Sequence, residues 1–145
     1  NEIKLYRYGP LGFLKREQIQ VNSELIDKIK VIISKAGSGS DSFPHQILGQ
    51  PFISEPKSVC TETYLIIGVF ENFEEAENLI SYVSTKFFRF MVSLIKNSQN
   101  VSKNVFSLVP IQDYSKQWTD ELLYKKYNIS QDEQAFIDTI IRPMN

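Results

Sequence analysis

Asp41, Glu55 and Lys57 have the residue types of a metal-dependent nuclease: two carboxylates to hold a divalent ion and a lysine to steady the attacking water. Pro56 stands between Glu55 and Lys57, withholds a strand hydrogen bond, and places the pair at a sheet edge or bulge. Carboxylate-x-lysine is also a common string, so the same residues read equally as ordinary surface charge. His45, the single histidine, has no serine or cysteine motif paired with it, and both a structural and a ligand-contacting role stay open. Cys60, the single cysteine, excludes an internal disulfide, and with one histidine beside it no Cys/His zinc cage can form. It reads as a small buried apolar group and fits a reducing cytoplasm. Glycine-rich dinucleotide and phosphate loops are absent, as is the Asn/Asp-Pro-Pro-Tyr/Phe tetrad of amino-methyltransferases. Gly37-Ser38-Gly39-Ser40 shares only composition with a phosphate loop and reads as a mobile connector. No catalytic residue, metal or cofactor is therefore expected in this chain.

Charge is more informative. The chain has 16 Lys and Arg against 17 Asp and Glu, so any affinity for nucleic acid must come from a local patch. From Asn78 to Gln112 there is no acidic residue, while Lys86, Arg89, Lys96 and Lys103 all fall inside. On a helix, Lys86, Arg89, Ser93 and Lys96 share one face, opposite an apolar stripe. Such a face can hold phosphates; it is equally an ordinary solvated face. Three polar segments could supply base-edge contacts beside it. One is the loop from Gly37 to Gln46, with Ser38, Ser40, His45 and Gln46. The second runs from Lys57 to Thr63, with Lys57, Thr61, Glu62 and Thr63, where Glu62 could accept from a cytosine amino group. The third is Ser98 to Asn104, with Gln99. The threonines and Glu62 could equally alternate in and out of a sheet edge, and Phe87, Phe88 and Phe90 read as core.

The elements that must position these residues follow from periodicity and punctuation. Ile3–Tyr8 and Gly12–Leu14 read as extended pieces around a Gly9-Pro10 turn, and Asn22-Ser23 opens a short helix. Ile29–Ser34 reads as a buried strand, with further strands at Pro51–Ser54 and Thr61–Gly68. Asn72 caps a long helix to about Lys96, with Ser84-Thr85 as the place for a break. Asn104–Val109 reads as a last strand. Two short helices close the chain, opened by Thr119 and by the capping box Ser130-Gln131-Asp132-Glu133. The expected fold is α/β: a small mixed sheet packed on the long helix, with a C-terminal helical cap. Residues 1–112 would form the recognition domain and 113–145 an appendage packed on it. The appendage is more acidic than basic and could dock a partner subunit.

With 145 residues, of which 42% are hydrophobic, the chain suits one globular domain. No stretch approaches a membrane span and no signal peptide opens it, so the expected location is the cytoplasm. Asn1 in place of methionine leads us to expect an excised piece of a longer polypeptide.

Several strings resemble the C-terminal region of type IIG-like restriction-modification adenine-specific DNA methyltransferases. They are Phe43-Pro44-His45-Gln46-Ile47-Leu48-Gly49, Cys60-Thr61-Glu62-Thr63-Tyr64-Leu65, Thr85-Lys86-Phe87-Phe88-Arg89-Phe90, Val109-Pro110-Ile111-Gln112-Asp113-Tyr114 and Trp118-Thr119-Asp120-Glu121-Leu122-Leu123-Tyr124. The resemblance spans nearly the whole chain. More loosely, the chain resembles the specificity domains of Taq-type methyltransferases and type I specificity subunits. The resemblance implies target recognition on double-stranded DNA without catalysis in this piece. An upstream methyltransferase domain of the same polypeptide would use S-adenosylmethionine, and Mg2+ where the parent also cleaves.

Overall fold

In the computed structural model, the described residues are 2–36, 42–96 and 103–144. Their organising strand is β3 (Ile29–Ser34), in which Ile29, Lys30, Val31, Ile32 and Ile33 are all buried. Strand alternation turns Ile29, Val31 and Ile33 toward the helices, where they join one core cluster with Leu79, Val83, Phe87 and Phe88. Lys30 and Ile32 face the opposite way. The β-branched run suits a pleated surface covered on both sides.

β3 sits in the middle of an antiparallel sheet between β4 (Phe52–Ser54) and β6 (Tyr64–Phe70). A second sheet has β1 (Glu2–Tyr6) at its centre, antiparallel to β2 (Gly12–Lys15) and parallel to β5 (Ser58–Cys60). The mixed α/β class expected from the sequence is therefore present, as two three-stranded sheets with four helices among the described residues. In place of a single sheet there are two, and β5, which falls inside the polar segment from Lys57 to Thr63, pairs with β1. Residues 103–106 form a 3-10 turn instead of a strand. Val105 is buried, Phe106 and Val109 pack on the core, and Leu108 is exposed, a spacing closer to a helical turn than to strand alternation.

Lys30 links the sheets. Its ammonium is buried and donates to the carbonyls of Leu25 (2.8 Å), Ile26 (3.2 Å), Lys28 (2.8 Å) and Ser58 (2.9 Å), joining β3 to the start of β5. Burial pushes its pKa below the usual lysine value, while four carbonyl dipoles favour the charged form. On the helical side, β6 comes so close to α1 (Phe73–Val83) that a Cβ on Gly68 would lie 2.5 Å from Leu79 Cδ2 and 2.8 Å from the Phe70 ring.

α1 starts at Asn72, whose side chain accepts from Glu75 N at 2.8 Å, with Glu74 and Glu75 in the first turn. The expected break falls at Ser84-Thr85. The Thr85 hydroxyl donates to Tyr82 O (2.7 Å) and accepts from Phe88 N (3.1 Å), so one side chain closes α1 and opens α2 (Lys86–Ser93). The Asp120 carboxylate also accepts from Lys86 N (3.0 Å) and Phe87 N (2.8 Å), an anion at a helix N-terminus. Asp120 opens α3 (Asp120–Lys126), and α4 (Gln131–Ile140) starts with the expected Ser130/Glu133 capping box. Trp118, Leu123, Ile137 and Ile141 enter the same core cluster as β3 and α1. No helix among the described residues is long and apolar enough to cross a membrane.

Candidate functional site

The two cations at the centre of the expected basic face, Lys86 and Arg89, are engaged within the fold. Arg89 is 1% exposed. Its guanidinium donates to the carbonyls of Thr85 (3.1 Å), Ser84 (3.0 Å), Gln46 (3.3 Å) and Arg142 (2.6 Å). Lys86 is half-buried and its amine pairs with Asp138 of α4 at 3.3 Å. Phe87 stacks on Tyr127 and Phe90 meets Phe136 edge-on, so the C-terminal helices cover this side of α2. Lys96 is half-exposed beyond the end of α2. Ser38, Ser40 and Gln99 lie outside the described residues, as does the side chain of Lys103.

The second half of the Gly37 to Gln46 loop is also committed to structure. His45 is half-buried, its N donates to Ile140 O (2.7 Å) and its O accepts from Arg142 N (2.9 Å). The Arg142 guanidinium donates to Ser42 O (3.0 Å) and Pro44 O (2.9 Å). Gln46 is buried, with its amide donating to Leu48 O at 3.0 Å, so its side chain is not presented to a base edge. Leu48 N reaches back to Gln46 O at 2.9 Å across Ile47, which is held at φ 75, a strained turn for a β-branched residue.

The residues of the nuclease set are separately engaged. The Glu55 carboxylate accepts from Lys4 Nζ (2.7 Å) and Tyr6 Oη (2.7 Å). Burial pushes its pKa up, but those two donors outweigh burial and hold it below the usual value. Lys57 is exposed in a turn at φ 65, and its charge contributes to holding the Asp27 carboxyl low, behind the hydrogen bond from Arg16. Asp41 lies outside the described residues. Among the described residues, no group of three His, Cys, Asp or Glu could hold a metal ion.

Thr61, Glu62 and Thr63 are placed differently from Lys57. They lie across β5 from it, at the end of the sheets where several turns converge. Thr61 N donates to Tyr6 O (3.0 Å), Lys35 N to Thr63 O (2.9 Å), and Ser34 pairs with Tyr64. The exit of β1, the exit of β3 and the β5–β6 turn are thereby brought together. A cleft of about 440 Å³ opens there, lined by Tyr8, Lys35, Glu62, Thr63 and Tyr64 together with Ser34 and Ala36. Tyr8 is 91% exposed at the β1–β2 hairpin tip. Gly9 completes that turn at φ 92, and Arg7 Nε donates to Pro10 O at 2.8 Å. The Thr61 and Thr63 hydroxyls lie 2.7 Å apart. Cys60, next to this turn, is half-buried, and burial pushes its thiol pKa up.

Of the nominated residues, the structure thus gathers Thr61, Glu62 and Thr63 at one site and separates Lys57, His45, Gln46, Lys86 and Arg89 from it. Tyr8, Lys35 and Tyr64 were not singled out in the sequence. The signal for Tyr8 was available: an aromatic residue directly before Gly9-Pro10 is carried on a turn, away from any core. No family model matches the chain, and neither does any curated protein or solved structure.

Proposed function

We propose that this chain is a DNA target-recognition domain, without chemistry of its own, serving a restriction-modification adenine methyltransferase or endonuclease. The observation supporting it is the convergence of three polar turns at one end of the two sheets: Arg7–Leu11, Lys35–Ala36 and Thr61–Thr63. Turns projecting beyond a rigid scaffold suit the reading of base edges, which needs donors and acceptors held in fixed register. Lys35 supplies a donor, Glu62 an acceptor, and Thr61 and Thr63 hydroxyls that serve as either. With a formal net charge of -1, phosphate contact rests on the cations nearest this end, Arg7 and Lys35. Double-stranded DNA is the partner. A methyltransferase domain of the same polypeptide, using S-adenosylmethionine, and Mg2+ where it also cleaves, would perform the chemistry.

The test is a salt titration of duplex binding by the 145-residue chain. Changing Arg7 and Lys35 together to Ala is expected to weaken binding to every duplex and to reduce the slope of log K against log salt by about 2. An unchanged slope removes this end of the molecule from the DNA surface.

A second function, docking of a partner subunit through the C-terminal helices, is favoured by one observation. Between α2 and α4 runs an apolar groove lined by Phe87, Phe90, Met91, Ile129, Phe136 and Ile137, with Asp132 and Glu133 at its rim. Its natural occupant would be an apolar segment flanked by lysine or arginine. Phe136→Glu should then abolish co-purification with the separate partner subunit and spare DNA binding; retained co-purification excludes the groove.

A further inference from the structure

We infer that the cleft between Tyr8 and Tyr64 takes a single unstacked nucleobase carrying an exocyclic amino group, an inference that rests on the DNA-recognition function above. Tyr8 holds 91% of its surface in water, on a hairpin tip fixed by the Gly9-Pro10 turn and by the Arg7–Pro10 hydrogen bond. An aromatic ring carried into water on a fixed turn, with almost no protein contact, suits a planar partner, because every base offers a π-face. Tyr64 lines the same cleft from the other element. Its ring is anchored, meeting Phe52 edge-on at 5.7 Å, and Phe52 in turn meets Tyr6 at 5.2 Å. The site therefore has one exposed and one anchored aromatic.

Polar groups narrow the occupant. Lys35 and Glu62 line the cleft with Ser34, Ala36 and Thr63. Lys35 and Glu62 offset each other's charge inside the cleft, so the occupant it suits best is the neutral edge of a base, which offers both an acceptor and a donor. Glu62 accepts from an exocyclic amino group, which adenine and cytosine carry on the edge away from the sugar and thymine lacks. Lys35 donates to a ring nitrogen or carbonyl oxygen. Opening a base pair costs least where the base is already unpaired, which suggests the probe.

The experiment uses the 145-residue chain and three labelled duplexes of one sequence: fully paired, with one bulged adenine, and with one bulged thymine. Anisotropy titration is expected to show the bulged-adenine duplex bound about tenfold more tightly than the paired one, the scale of one base–aromatic stack. Tyr8→Ala should remove that gain and Tyr8→Trp should keep it. Glu62→Gln should reduce the preference for bulged adenine over bulged thymine. Because Tyr8 and Glu62 are exposed, all three variants fold, which Trp118 emission checks for Tyr8→Ala and Glu62→Gln and a thermal melt for Tyr8→Trp. Equal affinity for bulged and paired duplexes, or a bulge preference that survives Tyr8→Ala, overturns the base pocket while duplex recognition stands. Absence of binding to all three overturns both.

Discussion

Arg89→Met separates a structural from a nucleic-acid role for the guanidinium. Methionine keeps an unbranched apolar stem and removes the fork, leaving the carbonyls of Ser84, Gln46 and Arg142 without that donor. Thr85 O retains the backbone N–H of residue 89 at 3.4 Å. A hydrogen bond to a charged group contributes about 1.5–3 kcal/mol. Three of them would give about 6 kcal/mol, of which roughly half is offset because a buried charge no longer has to be desolvated. The expected loss is about 3 kcal/mol, a large share of the roughly 5–15 kcal/mol that holds a domain together. With an m-value of about 2 kcal/mol per M, the urea midpoint falls by about 1.5 M. Trp118 is the single tryptophan and is 4% exposed, so its emission reports core opening directly. Should the midpoint stay put while DNA affinity drops and its salt slope flattens, the guanidinium sits among phosphates and its burial is wrong.

Two further perturbations probe the frame around the site. Gly68→Val places methyl groups where Leu79 Cδ2 and the Phe70 ring already stand 2.5 and 2.8 Å from a Cβ, and the resulting overpacking is expected to cost about 1–3 kcal/mol in a thermal melt. A variant as stable as the parent would mean that α1 does not press on β6. Glu55 has its folded-state pKa held below the usual glutamate value by Lys4 and Tyr6, so its contribution is present above the ordinary value and is lost as pH falls through the lowered one. Glu55→Gln should therefore flatten the acid limb of a stability–pH curve while leaving the alkaline side alone, and an acid limb of unchanged steepness would show that other carboxylates carry it.

What could be read from the chain alone was whatever local chemistry decides. Ile29–Ser34 announced a buried strand because four β-branched residues among five neighbouring positions admit little else, and Asn72, Thr119 and Ser130 announced helix starts because their side chains cap their own helices. Ser84-Thr85 showed a break for the same reason. β5 was hidden: at three residues it has no period to detect, and its partner β1 lies more than fifty positions earlier. Arg89 misled because a cation on an amphipathic helix looks solvated until distant chain covers it, and its acceptors at Gln46 and Arg142 lie 43 and 53 positions away. Glu62 and its neighbouring threonines could be nominated from polarity, but their meeting with Tyr8 and Lys35 depends on which strand ends face the same way.

The tie between Arg142 and the segment from Ser42 to His45 joins residues 98 and 100 positions apart. During synthesis Arg89 leaves the ribosome well before Arg142, so the nascent chain carries an ionised side chain whose last carbonyl has not yet been made. Translation stopped ahead of Ile140 would leave both sheets encoded and the interior unsealed. Sealing of the interior therefore waits on the segment around Arg142, and the strands and helices made before it cannot close the core by themselves.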